Sequence, residues 1–174
     1  MKLYNKINSI AFIFMIFLLL TGSAFAQEED VKYTKMNFDI FGVQFMGPEG
    51  WKSEVNADFI KLTPPDKKNV QLIIMEDDQY GGNLEEYFIV YNRRLKEEKV
   101  EATDKKILDV AGNGAIYVRA NTDKKDAGHV LFINNKKPYI LALKTEKYNY
   151  KKYEPILLKL VETLKFYKAN VKGK

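Results

Sequence analysis

Beyond its first 26 residues the chain holds a single serine, Ser53, and a single histidine, His129. Acyl transfer by such a pair needs the two within hydrogen-bond reach and a third group to orient the base. Ser53 stands two residues after Trp51, where a turn or a helix cap is the simpler role, and His129 opens an apolar run behind Gly128. No catalytic residue is therefore assigned, and the protein is expected not to be an enzyme. The adjacent carboxylates Glu76, Asp77 and Asp78 offer the hard oxygen ligands that calcium takes, but their spacing fits no calcium-loop template. Carboxylates at a strand end are ordinarily solvated, so these three are the weak candidates for a metal site, and neither metal nor cofactor is expected. Asn121, Asp123 and Asp126 read in the same way as hairpin-turn chemistry. Paired carboxylates for glycoside hydrolysis are not selected by counting, because any chain with 23 acidic residues contains pairs of unspecified separation. The absence of cysteine removes disulfides, thiolate nucleophiles, cysteine zinc sites and lipid-modified cysteine.

Aromatic residues are the surplus, with 11 tyrosines, 11 phenylalanines and one tryptophan. Most belong in a core, but Tyr148, Tyr150 and Tyr153 recur with Lys147, Lys151 and Lys152 just ahead of the last helical segment. Tyrosine with lysine on a surface makes a contact patch for a protein partner or an anionic glycan. The plainer role for the same residues is to cover the end of the helix. Charge points the same way: the 174 residues carry 28 basic and 23 acidic groups, a formal +5, which is too mild for a nucleic-acid stripe. It is unevenly placed. Residues 27–123 hold 13 basic and 19 acidic side chains, whereas residues 124–174 hold 13 and 4.

The elements that must position these groups follow a leader. Lys2 and Lys6, an apolar run over 10–20, and Ala24-Phe25-Ala26 before Gln27 have the form of a secretory signal with cleavage after Ala26. That run spans about 16 Å as a helix, half of a bilayer core, so no stable membrane anchor is expected after cleavage. The predicted product is soluble and exported, periplasmic or extracellular, and a cysteine-free exported chain leans bacterial. Residues 27–35 read as a flexible lead-in, 36–167 as one domain and 168–174 as a lysine-rich tail. The tail lysines could each add about 1 kcal/mol at an acidic membrane, weak binding without apolar help.

Within the domain, 36–41 begins a strand that turns at Gly42, and Val43, Phe45 and Gly47-Pro48-Glu49-Gly50 complete a hairpin. Strands are predicted at 58–63 and 70–75. Asn83, with Glu86 three residues on, caps a helix whose Leu84, Tyr87, Phe88, Tyr91 and Leu95 form one apolar stripe. Residues 100–110 and 115–121 pair around Gly112-Asn113-Gly114, and 129–133 pairs with 139–143 around Asn134-Asn135-Lys136-Lys137. Both runs of this last pair carry apolar residues on both faces, so both sides of the sheet should be covered. A second helix over 151–165 buries Ile156, Leu157, Leu160, Val161 and Leu164, and Pro155 must sit in its first turn.

This order predicts an α+β fold with a mainly antiparallel sheet and helices on its faces. Phe41-Gly42-Val43-Gln44-Phe45 running through Pro48-Glu49-Gly50 to Trp51, then Tyr139-Ile140-Leu141-Ala142-Leu143, Tyr153-Glu154-Pro155-Ile156-Leu157 and Leu164-Lys165-Phe166, resemble the two ends of PsbP-like (Mog/PsbP/DcrB-like) domains. The resemblance covers residues 36–166, with Thr163-Leu164 in place of a Ser-Phe pair. It implies a three-layer α/β/α sandwich and a non-enzymatic accessory or binding role with a protein partner. The alternatives from other classes are a carrier of a small apolar ligand and a hydrolase of unrecognised type.

Overall fold

The computed structural model describes residues 31–67, 69–77 and 82–168. The leader, Asp78 and all of the tail after Lys168 lie outside them. Among the described residues ten strands and two helices follow one another: β1 (Tyr33–Phe38), β2 (Val43–Pro48), β3 (Lys52–Val55), β4 (Phe59–Thr63), β5 (Gln71–Glu76), α1 (Leu84–Glu97), β6 (Glu101–Val110), β7 (Asn113–Asn121), β8 (Lys125–Asn134), β9 (Lys137–Glu146), α2 (Tyr150–Thr163) and β10 (Lys165–Phe166). Seven strands form an antiparallel sheet in the order β3-β4-β5-β9-β8-β7-β6, and β1-β2-β10 form a small second sheet.

Successive side chains of a strand point to opposite faces, and the central strands are apolar on both. Tyr117, Val130, Phe132, Leu141 and Leu143 pack in one cluster with the inner face of α2 and with Val43 and Phe45 of β2. Their neighbours Ile116, Val118, Leu131, Ile140 and Ala142 pack in another with Tyr87, Tyr91 and Leu95 of α1. One helix therefore covers each face of the sheet. Each fully buried Leu or Ile contributes about 1.5–3 kcal/mol relative to exposure, which is why the continuous apolar runs of β8 and β9 settle in the middle.

Helix α1 starts where its cap dictates: Asn83 Oδ1 accepts the Glu86 N–H at 3.0 Å, and Glu85 and Glu86 sit in the positive first turn. Asn83→Ala should lower stability by about 1 kcal/mol, read as a shift in the urea midpoint with unchanged slope.

Some boundaries differ from expectation. β1 begins at Tyr33, inside the segment expected as lead-in, because its pairing with β2 extends to Pro48. Ser53 lies in β3, a strand with no apolar alternation to announce it, where it pairs with Leu62. The β6–β7 turn is Ala111-Gly112, both at positive φ, with Asp109 Oδ1 accepting the Gly112 N–H at 3.0 Å; Asn113 and Gly114 belong to β7. Asn135-Lys136 make the corresponding two-residue turn between β8 and β9, at φ +50° and +65°. Helix α2 starts at Tyr150, so Pro155 is its sixth residue rather than in its first turn. Packing of Ile156, Leu157, Leu160 and Val161 on the sheet outweighs the missing helical hydrogen bond. The edge strand β6 carries a bulge between Thr103 and Lys106, with Asp104 at φ +52°.

Candidate functional site

Three connections meet at one end of the large sheet. In the β7–β8 turn the Thr122 N–H donates to Lys125 O at 2.9 Å, and the Lys125 N–H donates to the Thr122 side-chain Oγ1 at 2.9 Å. The β9–α2 loop is tied to that turn by Lys147 N–H to Lys124 O at 3.1 Å, and Asn149 N–H bonds Glu146 O at 3.2 Å. Between these anchors Tyr148 is held at φ +73°. On the other side the chain leaves α1 through Lys99, also at positive φ, and enters β6. The three segments enclose a half-open cleft of about 770 Å³, lined by Glu98, Lys99, Glu101, Arg119, Asn121, Thr122, Asp123, Asp126, Lys147, Tyr148 and Lys151.

Its floor is fixed by a buried polar set. Arg119 Nη2 donates to Asp126 Oδ2 at 3.0 Å, its Nη1 lies 3.9 Å from Asp104 Oδ2, and its guanidinium stacks 4.9 Å above the Tyr150 ring. The Asn121 amide, oriented with Nδ2 inward, reaches Asp126 Oδ1 at 3.1 Å. Beneath, the Tyr150 and Tyr117 hydroxyls are 2.9 Å apart and Tyr117 donates to Glu154 Oε1 at 2.8 Å. Burial, more than any charge, pushes both phenols well above their ordinary range, so they stay protonated donors.

Of the six residues proposed from sequence for partner contact, Lys147, Tyr148 and Lys151 line this cleft and Lys152 is exposed on the first turn of α2. Tyr150 and Tyr153 do not belong to the patch. They are 0% and 6% exposed, Tyr153 edge-on to Trp51 at 6.2 Å between ring centroids, because a helix starting at Tyr150 puts both on its inner stripe with Ile156, Leu157 and Leu160. Tyr148 is 87% exposed. Lys124 and Lys125 extend the basic rim, and among the described residues Lys124, Lys125, Lys147 and Lys151 have no carboxylate partner.

By sequence, no family model and no curated protein matches the chain. By structure, it superposes on the solution structure of the cyanobacterial PsbP (CyanoP) of Synechocystis sp. PCC 6803 with a TM-score of 0.59 at 10% identity, over 85% of this chain and 99% of that one. The fold is PsbP-like. LpqN of Mycobacterium tuberculosis, described as involved in cell envelope biogenesis, is similar at a TM-score of 0.46 and 13% identity, over 83% of this chain and 96% of that one.

The other constellations suggested by the sequence are dispersed over the PsbP-like domain. Ser53 on β3 and His129 on β8 are four strands apart, about 19 Å at the usual strand spacing. His129 is buried against α1, with Nδ1 2.7 Å from the Tyr91 hydroxyl and the two rings in T-shaped contact at 5.6 Å. Burial, aided by Lys144, lowers its pKa to about 4, so the imidazole is neutral and shares one hydrogen bond with the Tyr91 hydroxyl. The two described residues of the acidic run, Glu76 and Asp77, are engaged rather than solvated as expected. Glu76 pairs with Lys137 Nζ at 2.8 Å, and Asp77 is buried beneath α1, accepting from Arg94 Nη2 at 2.5 Å and from the Tyr87 hydroxyl at 3.0 Å. Among the described residues no three His, Asp or Glu side chains converge as a metal site would require, and no helix is long and apolar enough to cross a membrane. A second depression of about 530 Å³, between β6 and α2, is open and lined mainly by Leu108, Pro155, Leu158 and Val161.

Proposed function

We propose that the protein is an exported, non-enzymatic binding protein of the cell envelope that meets a protein partner with the lysine-rimmed end of its sheet. The observation that carries this reading is Tyr148. A bulky side chain at φ +73° costs about 1–2 kcal/mol, and this one is spent on presenting an 87% exposed ring rather than on packing. Strain of this kind persists where the surrounding structure enforces it and clusters at working sites. Around the ring stand lysines without carboxylate partners, which speed encounter with an acidic surface and set its salt dependence. The leader-like first 26 residues support export.

Capture of partners from the producing cell's own envelope fraction tests the reading. At low ionic strength a single protein should be retained, released as salt shortens the screening length from about 10 Å at 0.1 M to about 3 Å at 1 M. Tyr148→Ala should cut retention by about tenfold or more, as the loss of a central aromatic anchor does. Recovery of no partner at low salt, or equal recovery with Tyr148→Ala, overturns it. A carrier of an apolar ligand would use the groove beside β6 instead, and would show a bound mass by native mass spectrometry.

A further inference from the structure

The cleft behind Tyr148 is concave, and its lining is polar as well as aromatic. We infer that it is a saccharide subsite that takes a hydroxyl-rich sugar ring bearing one acidic group. At about 770 Å³ it falls in the size range of small-ligand sites, roughly 300–1,000 Å³, but its chemistry is unlike a hydrophobic pocket. Among the described lining residues Tyr148 supplies the one aromatic surface, and the walls mix donors with acceptors: Lys99, Lys147, Lys151 and Thr122 with Glu98, Glu101 and Asp123.

That mixture selects by elimination. An apolar ligand would leave the polar walls desolvated without partners. A phosphate or polyphosphate would concentrate two or more negative charges on one compact group close to Glu98, Glu101 and Asp123, where a uronate ring brings a single charge, and the Arg119 fork that would ordinarily receive phosphate is engaged by Asp126 and stacked on Tyr150. A bare cation finds no converging set of carboxylates among the described residues. A sugar hydroxyl both donates and accepts, so it satisfies lysine and carboxylate walls alike. The ring's C–H face suits a flat exposed aromatic, and a single carboxylate or sulfate answers Lys147 and Lys151 at the mouth, which have no carboxylate partner among the described residues; Lys147 Nζ lies 5.8 Å from the Tyr148 ring centroid, so charge and aromatic surface stand side by side. The flat surface of an acidic membrane would reach the rim lysines and not the cleft.

The inference goes beyond a protein partner and is tested on the protein alone, so failure of partner capture leaves it standing. Isothermal titration would use trigalacturonate, with galactotriose as the uncharged control of equal length and phosphatidylglycerol vesicles as the membrane control. Saturable one-to-one binding of trigalacturonate is expected, about tenfold or more tighter than galactotriose. Tyr148→Ala and Lys147→Glu should each weaken it by about tenfold or more. Tyr148→Gly should abolish the stacking while keeping or raising the melting temperature, since glycine relieves the positive φ; loss of binding with fold retained thus separates recognition from folding. Absence of binding at millimolar trigalacturonate, equal binding by Tyr148→Ala, or binding to vesicles in place of the saccharide would overturn the inference.

Discussion

Gly128→Ala is expected to lower the unfolding free energy by about 3 kcal/mol, the upper part of the range for overpacking a core. Gly128 sits in β8 between Arg119 of β7 and Leu143 of β9, under the first turns of α2. A Cβ there would overlap the Tyr150 hydroxyl outright and stand 2.7 Å from Tyr150 Cζ and 3.0 Å from Leu157 Cδ2. Tyr150 cannot swing aside cheaply, because its hydroxyl is bonded to Tyr117 and its ring lies under Arg119. The control is Tyr150→Phe, which removes the atom that clashes most. In the double variant the two losses should fall short of additivity by about 1 kcal/mol or more, as contacting residues sharing one cause do. Chemical denaturation of the four proteins reads this directly, and strict additivity would show that the strand accommodates the methyl group in another way. A melting temperature measured alongside should fall by several degrees in the single variant.

Acid should destabilise the protein through His129 in a defined window. Its pKa is about 4 in the folded state against about 6.5 in the unfolded chain. Above pH 6.5 the imidazole is neutral in both states and contributes no pH dependence. Between 6.5 and 4 the unfolded chain binds a proton that the folded protein refuses, so stability falls as pH falls, by about 3 kcal/mol in all. Below 4 both states are protonated and the dependence ends. The groups facing the ring leave little room for rescue: Tyr91, whose own burial keeps it protonated, and Lys144, which repels a second positive charge. His129→Gln retains an acceptor for the Tyr91 hydroxyl and cannot titrate. Its urea midpoints should be flatter than those of the unsubstituted protein from pH 6.5 to 4, and parallel curves would refute the assignment.

The parts of this fold that were legible in the sequence are those governed by local rules. Asn83 with Glu86 caps α1, and the apolar stripe from Leu84 to Leu95 is periodic enough to bury Tyr87, Tyr91 and Leu95 as expected. The doubly apolar runs around His129 and Tyr139 take the centre of the sheet, because nowhere else covers both faces. β3 was not legible, since its four residues are all exposed and only pairing with β4 makes them a strand. The candidate site was half legible. Lys147, Tyr148 and Lys151 announce themselves as a cluster, but Tyr150 and Tyr153 continue the stripe of Ile156, Leu157 and Leu160 back into the first turn of α2 and are buried. Asn121, Asp123 and Asp126, read from sequence as turn chemistry, line the cleft as well, whereas Arg119, Glu98 and Glu101 join it only through strand register and the course of the chain after α1, both long-range facts with no signature in neighbouring residues.

One irregularity of β6 bears on life at high concentration. A straight ten-residue border strand with free backbone groups invites another molecule to zip onto it and continue into a filament. The extra residue between Thr103 and Lys106, with Asp104 in a left-handed turn and Lys105 and Lys106 beside it, interrupts that template midway and charges it. The bulge thus works against edge-to-edge pairing of one copy with another along β6. Excising Asp104 would hand the molecule an uninterrupted seam along which copies could stack.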